Sequence, residues 1–136
     1  MRTIFLINIT VWFLLALPSP VSACTCRDES DLRAFRGLRS GADAIFVGKA
    51  VGRTIKGGMN FVVEQYWKGS LKRQEFVYTA QESTCAVGFA DGEKYLVFAI
   101  ANDKGELNTN LCLKPGRLRD RAVYLRRLGR GKLKTT

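Results

Sequence analysis

The chain has 136 residues, with 22 Lys and Arg against 12 Asp and Glu, a formal net charge of +10, four cysteines and no histidine. Without histidine there is no Ser-His-Asp or Cys-His arrangement, and the commonest general base and metal ligand are both missing. Paired-carboxylate chemistry stays open in principle, but the acidic residues are scattered, so a binding protein rather than an enzyme is expected, with no cofactor.

From the N-terminus, Met1-Arg2 leads into an apolar run from Ile4 to Leu17, broken by Asn8 and Thr10 and followed by Pro18, Pro20 and the small-residue stretch Val21-Ser22-Ala23. That order reads as a secretory signal peptide over 1–23. The run falls short of the roughly 20 apolar residues that span a bilayer. Cleavage after Ala23 would make Cys24 the first residue of the exported chain. Val21-Ser22-Ala23-Cys24 also resembles a bacterial lipid-attachment box, in which case Cys24 would be acylated and the protein held at the cell envelope. All four cysteines, Cys24, Cys26, Cys85 and Cys112, follow the cleavage point, and an even set entering an oxidising compartment is read as two disulfides. A bridge from Cys24 to Cys26 would have poor geometry, which leaves the two long-range connectivities. A structural zinc site is the competing reading, but such sites usually show wider C-x2-4-C spacing.

What remains is one domain's worth of chain. Leu32, Phe35 and Leu38, three apart, mark a short helix with Asp28, Glu29 and Asp31 at its start and an end near Ser40. β-formers then predict strands over Ala44–Val51, Met59–Trp67, Glu75–Ala80, Lys94–Ile100 and Glu106–Leu113, with turns at Gly57-Gly58, Asp91-Gly92 and Lys104-Gly105. In the fourth strand Tyr95, Val97 and Ala99 lie on one face and Leu96, Phe98 and Ile100 on the other, so it should be central and buried on both. Gly88 and Phe89 are assigned to a turn and the core. Past Pro115, Leu118, Ala122, Val123 and Leu125 form a helical stripe with arginines opposite. The expected fold is all-β with flanking helices, a five-stranded OB-fold barrel, with 24–115 as the barrel domain and 116–136 as a basic C-terminal helix and tail. That tail carries Arg117, Arg119, Arg121, Arg126, Arg127, Arg130, Lys132 and Lys134, offset only by Asp120. It is either a solvated face or a patch for an anionic polysaccharide or membrane surface.

Two segments stand out against this barrel, Cys24-Thr25-Cys26-Arg27-Asp28 and Glu82-Ser83-Thr84-Cys85-Ala86. At a free terminus, the α-amino group and carbonyl oxygen of Cys24 are spaced to close a five-membered chelate ring on a metal ion held by another protein. The segments resemble the inhibitory domain of the tissue inhibitors of metalloproteinases, a netrin-like barrel that begins with a processed Cys-x-Cys. The likeness runs through Ala44-Ile45-Phe46-Val47-Gly48 and Val63-Glu64-Gln65-Tyr66-Trp67-Lys68-Gly69. It continues in Phe76-Val77-Tyr78-Thr79, Glu82-Ser83-Thr84-Cys85 and Leu107 to Cys112. The resemblance implies bridges from Cys24 to Cys85 and from Cys26 to Cys112, and a zinc metalloendopeptidase as partner. It also implies that the Cys24 amine and carbonyl ligate that protease's catalytic zinc, that Thr25 enters the specificity pocket, and that Ser83 and Thr84 fill neighbouring subsites. Asp28 and Glu82 are read either as contacts to the protease rim or as solvated side chains. The chain departs from the family in lacking the cysteines of a third bridge, in the short Gly52 to Gly58 loop and in its basic stretch after Pro115.

Two other readings use the same residues differently. A netrin-like module would bind partners through its surface without the N-terminal chelate. An OB barrel could also bind single-stranded nucleic acid by stacking on Tyr66, Trp67, Phe76 and Tyr78; core packing is the better assignment for those rings.

Overall fold

A computed structural model describes residues 23–27, 30–81 and 83–135. Most of the expected signal peptide, together with Asp28, Glu29 and Glu82, therefore lies outside the described residues. Strands β1 (Ala44–Thr54), β2 (Gly58–Lys68), β3 (Gln74–Tyr78), β4 (Lys94–Ala101) and β5 (Leu107–Asn108) are joined in the order β1-β2-β3-β5-β4. β4 then returns to pair with β1, which closes the sheet into a five-stranded barrel. β3 and β5 run parallel, and the other pairings are antiparallel. The protein is thus an all-β, OB-like barrel with two flanking α-helices, α1 (Asp31–Gly41) and α2 (Ala122–Leu128).

Closure depends on β1, which is 11 residues long and pairs on both edges. Its register against β2 shifts at Ile45/Phe46, Val47/Gly48 and between Ala50 and Arg53. Such irregularities bend a strand and increase its twist, which is how one strand serves both walls of a barrel. Alternation along β1 and β4 then divides the apolar side chains between two layers. Phe46, Ala50, Tyr95, Val97 and Ala99 point into the barrel with Met59, Phe61, Val63, Val77 and Phe89. Ile45, Val47, Leu96 and Phe98 point outward beneath the helices, against Phe35, Leu38, Tyr124 and Leu128. β4 is central and buried on both faces as the sequence predicts, except that Ile100 at its end is 43% exposed.

Gly57 and Gly58 do different work at the β1–β2 turn. Gly57 takes a positive φ of 81°, open to glycine at little cost. At Gly58 a side chain would start 2.5 Å from both the Phe76 ring and the Val77 carbonyl, so β3 can approach only a residue without one.

The barrel departs from the sequence expectation in three places. The fifth strand is only Leu107–Asn108, not Glu106–Leu113. Thr109 is buried, its hydroxyl donating to the Phe98 carbonyl at 2.8 Å. Asn110 then accepts the backbone N–H groups of Cys112 and Leu113 at 2.9 and 3.2 Å, which turns Leu111–Leu113 into a 3-10 helix instead of a strand. The third strand stops at Tyr78, because Ala80 adopts φ 54° and leads the chain away from the sheet. The Gly52 to Gly58 segment is mostly strand, since β1 continues to Thr54 and β2 begins at Gly58.

The C-terminal segment is fastened to the barrel by strand pairing near both of its ends. β6 (Gly116–Arg117) pairs with β4, and β7 (Lys132–Leu133) pairs with β2. Between them, Leu118–Arg121 is a 3-10 turn and α2 begins only at Ala122. This change of pitch rotates the predicted stripe. Tyr124 and Leu128 face the core, Leu118 and Leu125 flank them, and Ala122 and Val123 are exposed. The Trp67 indole donates to the Gly129 carbonyl at 2.9 Å, and the Lys134 N–H donates to the Glu64 carbonyl at 2.9 Å.

Candidate functional site

Three segments from distant parts of the chain meet at one end of the barrel. Cys24 is bonded to Cys85 with a Cα separation of 5.0 Å, and Cys26 to Cys112 with 5.1 Å. This is the pairing that the resemblance implies. The bridges span 61 and 86 residues of sequence, and closing loops of that size is worth about 4 to 5 kcal/mol each in a chain-entropy treatment. They also pack together, with the sulfurs of Cys24 and Cys112 3.8 Å apart. The sulfurs of Cys24, Cys26 and Cys112 lie within 4.8 Å of one another. All are disulfide-bonded, so they offer no thiolate set for a structural zinc.

The receiving loops are ordered by their own hydrogen bonds. The Ser83 N–H donates to the Ala80 carbonyl at 2.9 Å, and the Ser83 hydroxyl accepts the Cys85 N–H at 2.9 Å. Such side-chain closure is what serine supplies at a turn. The Ala86 N–H donates to the Ser83 carbonyl at 3.1 Å, and the Leu111 N–H to the Cys85 carbonyl at 3.0 Å. The loop carrying Cys85 is thereby joined to the turn carrying Cys112 by backbone as well as through the N-terminal segment.

With Cys24 and Cys26 both anchored and half-buried, Thr25 between them is exposed. Extended backbone alternates its side chains, so two anchored cysteines force the residue between them outward. Arg27, Ser83 and Thr84 are also exposed, and Ala86 is half-buried. The structure therefore brings Cys24, Thr25, Cys26, Arg27, Ser83, Thr84, Cys85 and Ala86 to one edge; Asp28 and Glu82 lie outside the described residues. In the full chain the Cys24 nitrogen is in peptide linkage to Ala23, and it becomes an amine only if that bond is cut.

Sequence reasoning missed what lies beside this edge. A groove of about 490 Å³ runs from Ser83, Gln81 and Ala80 to Tyr78, Asn108 and the hairpin tip at Ile55 and Lys56. Ile55 is fully exposed. An apolar residue next to a Gly-Gly turn was the available signal, because hairpin tips ordinarily carry polar residues. On the other side, a hollow of about 200 Å³ separates Cys26, Arg27 and Cys112 from α1 at Ala34 and Gly37.

Several of the basic residues past Pro115 are engaged within the protein itself. Arg117 contacts the Tyr95 hydroxyl, which with Glu93 holds its guanidinium above the ordinary arginine value. Arg119 pairs with Asp120 at 3.9 Å. Arg121 donates to the carbonyls of Lys114 and Pro115 and lies over the Tyr124 ring. Lys134 lies over Tyr66, and Lys132 belongs to β7. Arg126, Arg127 and Arg130 are exposed on and just after α2. The rings considered for base stacking are engaged as well: Phe76 and Tyr78 pack edge to face at 4.7 Å, and Trp67 is tied to Gly129.

An OB-like barrel with a disulfide-tied N-terminal edge is the class that the fold and this arrangement define. Comparison with protein-family models and with curated proteins finds no match. The two disulfides fit an oxidising compartment. Among the described residues, no helix is long and apolar enough to cross a membrane.

Proposed function

We propose that this chain, cut before Cys24, is a secreted inhibitor of zinc metalloendopeptidases. The observation that carries the reading is the doubly bridged Cys24-Thr25-Cys26 segment, held beside the Ser83–Ala86 loop with Thr25 exposed between its anchors. Once freed, the Cys24 amine and carbonyl form a bidentate donor pair at a rigid edge. A catalytic zinc keeps one position for the water that becomes its nucleophile. The amine would take that position and the carbonyl a fifth, so the protease would lose its attacking water. Thr25 then enters the pocket beside the zinc, and Ser83 and Thr84 occupy the flanking subsites. Because the bridges order the edge before association, little conformational entropy is lost on binding.

The chemistry prescribes the test. An α-amino group with a reference pKa of roughly 7.7 to 8.0 must release its proton to bind zinc. Inhibition of a panel of zinc endopeptidases should weaken by about tenfold per unit as pH falls below that pKa. Adding one alanine before Cys24 should abolish inhibition while leaving the unfolding temperature unchanged. If both forms inhibit equally, or neither inhibits, the proposal fails. Mass spectrometry of the exported protein checks the premise: a start upstream of Cys24, or an acylated Cys24, also removes it.

A further inference from the structure

α1 and α2 meet over the outer apolar layer through a few side chains, and their contact does not involve the Cys24 edge. Phe35 of α1 and Tyr124 of α2 are 5.3 Å apart between ring centres, and the Arg127 guanidinium sits 5.8 Å over the Phe35 ring. The ends of both helices converge on the end of β2, where the Lys68 ammonium donates to the Ser40 carbonyl at 3.0 Å and the neighbouring Trp67 indole donates to Gly129. With Phe35 and Leu38 turned inward, the helical period places Arg36 and Arg39 on the outer side of α1. Arg126 and Arg130 are exposed on and just after α2. Arg36, Arg39, Lys68, Arg126, Arg127 and Arg130 therefore gather over one two-helix face.

Helix-dipole compensation accounts for only part of this charge. Each helix C-terminus contributes about half a negative charge, which leaves most of the six cations unbalanced. Among the described residues, none of the five arginines forms an ion pair. Asp43, close after α1, accepts the Ala101 N–H at 2.8 Å, and Asp120, before α2, is paired with Arg119.

We infer that this face binds an extended sulfated polysaccharide. Guanidinium forks pair two N–H groups with two oxygens of an oxyanion, and a row of them suits a polymer with closely repeated sulfates. The same face is poorly made for a lipid surface, which takes up a helix through a free apolar side. Here Phe35, Leu38, Tyr124 and Leu128 are buried against the barrel. It is equally poorly made for single-stranded nucleic acid, which needs exposed rings for stacking. The inference does not depend on protease inhibition.

Binding to heparin oligosaccharides at graded salt tests it, alongside phosphatidylserine vesicles and single-stranded DNA. A variant carrying Arg36→Gln, Arg39→Gln, Arg126→Gln and Arg130→Gln spares Arg127 and Lys68, which hold the helices. It should bind at least about tenfold more weakly, with a shallower salt dependence. A control with the same loss of charge elsewhere, Arg53→Gln, Lys56→Gln, Lys72→Gln and Lys104→Gln, should lose less than about threefold. Should the quadruple face variant misfold, the single change Arg126→Glu at an exposed position serves in its place, with a loss of about threefold or more. Equal losses in face variant and control, no binding by the native protein, or tighter binding to vesicles or DNA would each overturn the inference.

Discussion

The two ends of the described chain are both strapped to the barrel, but by different physics. The N-terminal strap, 24–27, buries little and is held by two covalent bonds to loops. The C-terminal strap, 116–134, is held by strand pairing at β6 and β7 and by burial of Tyr124 and Leu128 under α2. A segment that must present its side chains to a partner cannot also bury them, and disulfides provide rigidity without burial. A segment whose apolar side is buried can leave its outer side charged, as the second strap does.

The sharpest way to break this comparison is to remove one covalent anchor. Replacing Cys26 and Cys112 together by serine should cost about 2 to 5 kcal/mol, read from denaturant unfolding, and should also weaken inhibition by loosening the edge. If inhibition survives at full strength while stability falls, the bridge serves the fold and not the edge. The complementary change is Leu128→Ala, at a side chain 8% exposed. It should cost about 2 to 3 kcal/mol yet leave inhibition constants unchanged, because the cavity lies in the outer layer. Smallest is Trp67→Phe, which deletes the indole bond to the Gly129 carbonyl. A loss of about 1 kcal/mol is expected, with faster amide exchange confined to β7 and the end of α2. Exchange that also quickens around Cys85 would show the two straps to be coupled.

The residues differ in how openly they declare these roles. β4 could be read from Lys94 to Ile100 because alternate apolar faces admit one arrangement, a strand covered on both sides. The four cysteines announced two bridges, yet their spacing left two connectivities open, and the choice of Cys85 for Cys24 followed only from a resemblance. Phe89 was legible as core, and it packs edge to face on Phe61 and Tyr95 at 5.0 and 4.8 Å. The end of the fifth strand was misread, because Asn108 and Asn110 are poor strand formers and good cap residues, a signal outweighed by the leucines on either side of them. The groove beside Ser83 was hidden for another reason: Ile55, Tyr78 and Asn108 come together only when the hairpin tip folds beside β3 and β5.

Local pattern alone therefore determined the presence and order of the five barrel strands, the central place of β4, the disulfide chemistry and the strong positive charge, since each depends on composition or on neighbours a few residues apart. Folding decided where the charge sits. It brought α2, with Arg126 and Arg127, against α1, with Arg36 and Arg39, because the packing of Phe35 against Tyr124 joins residues from opposite ends of the chain.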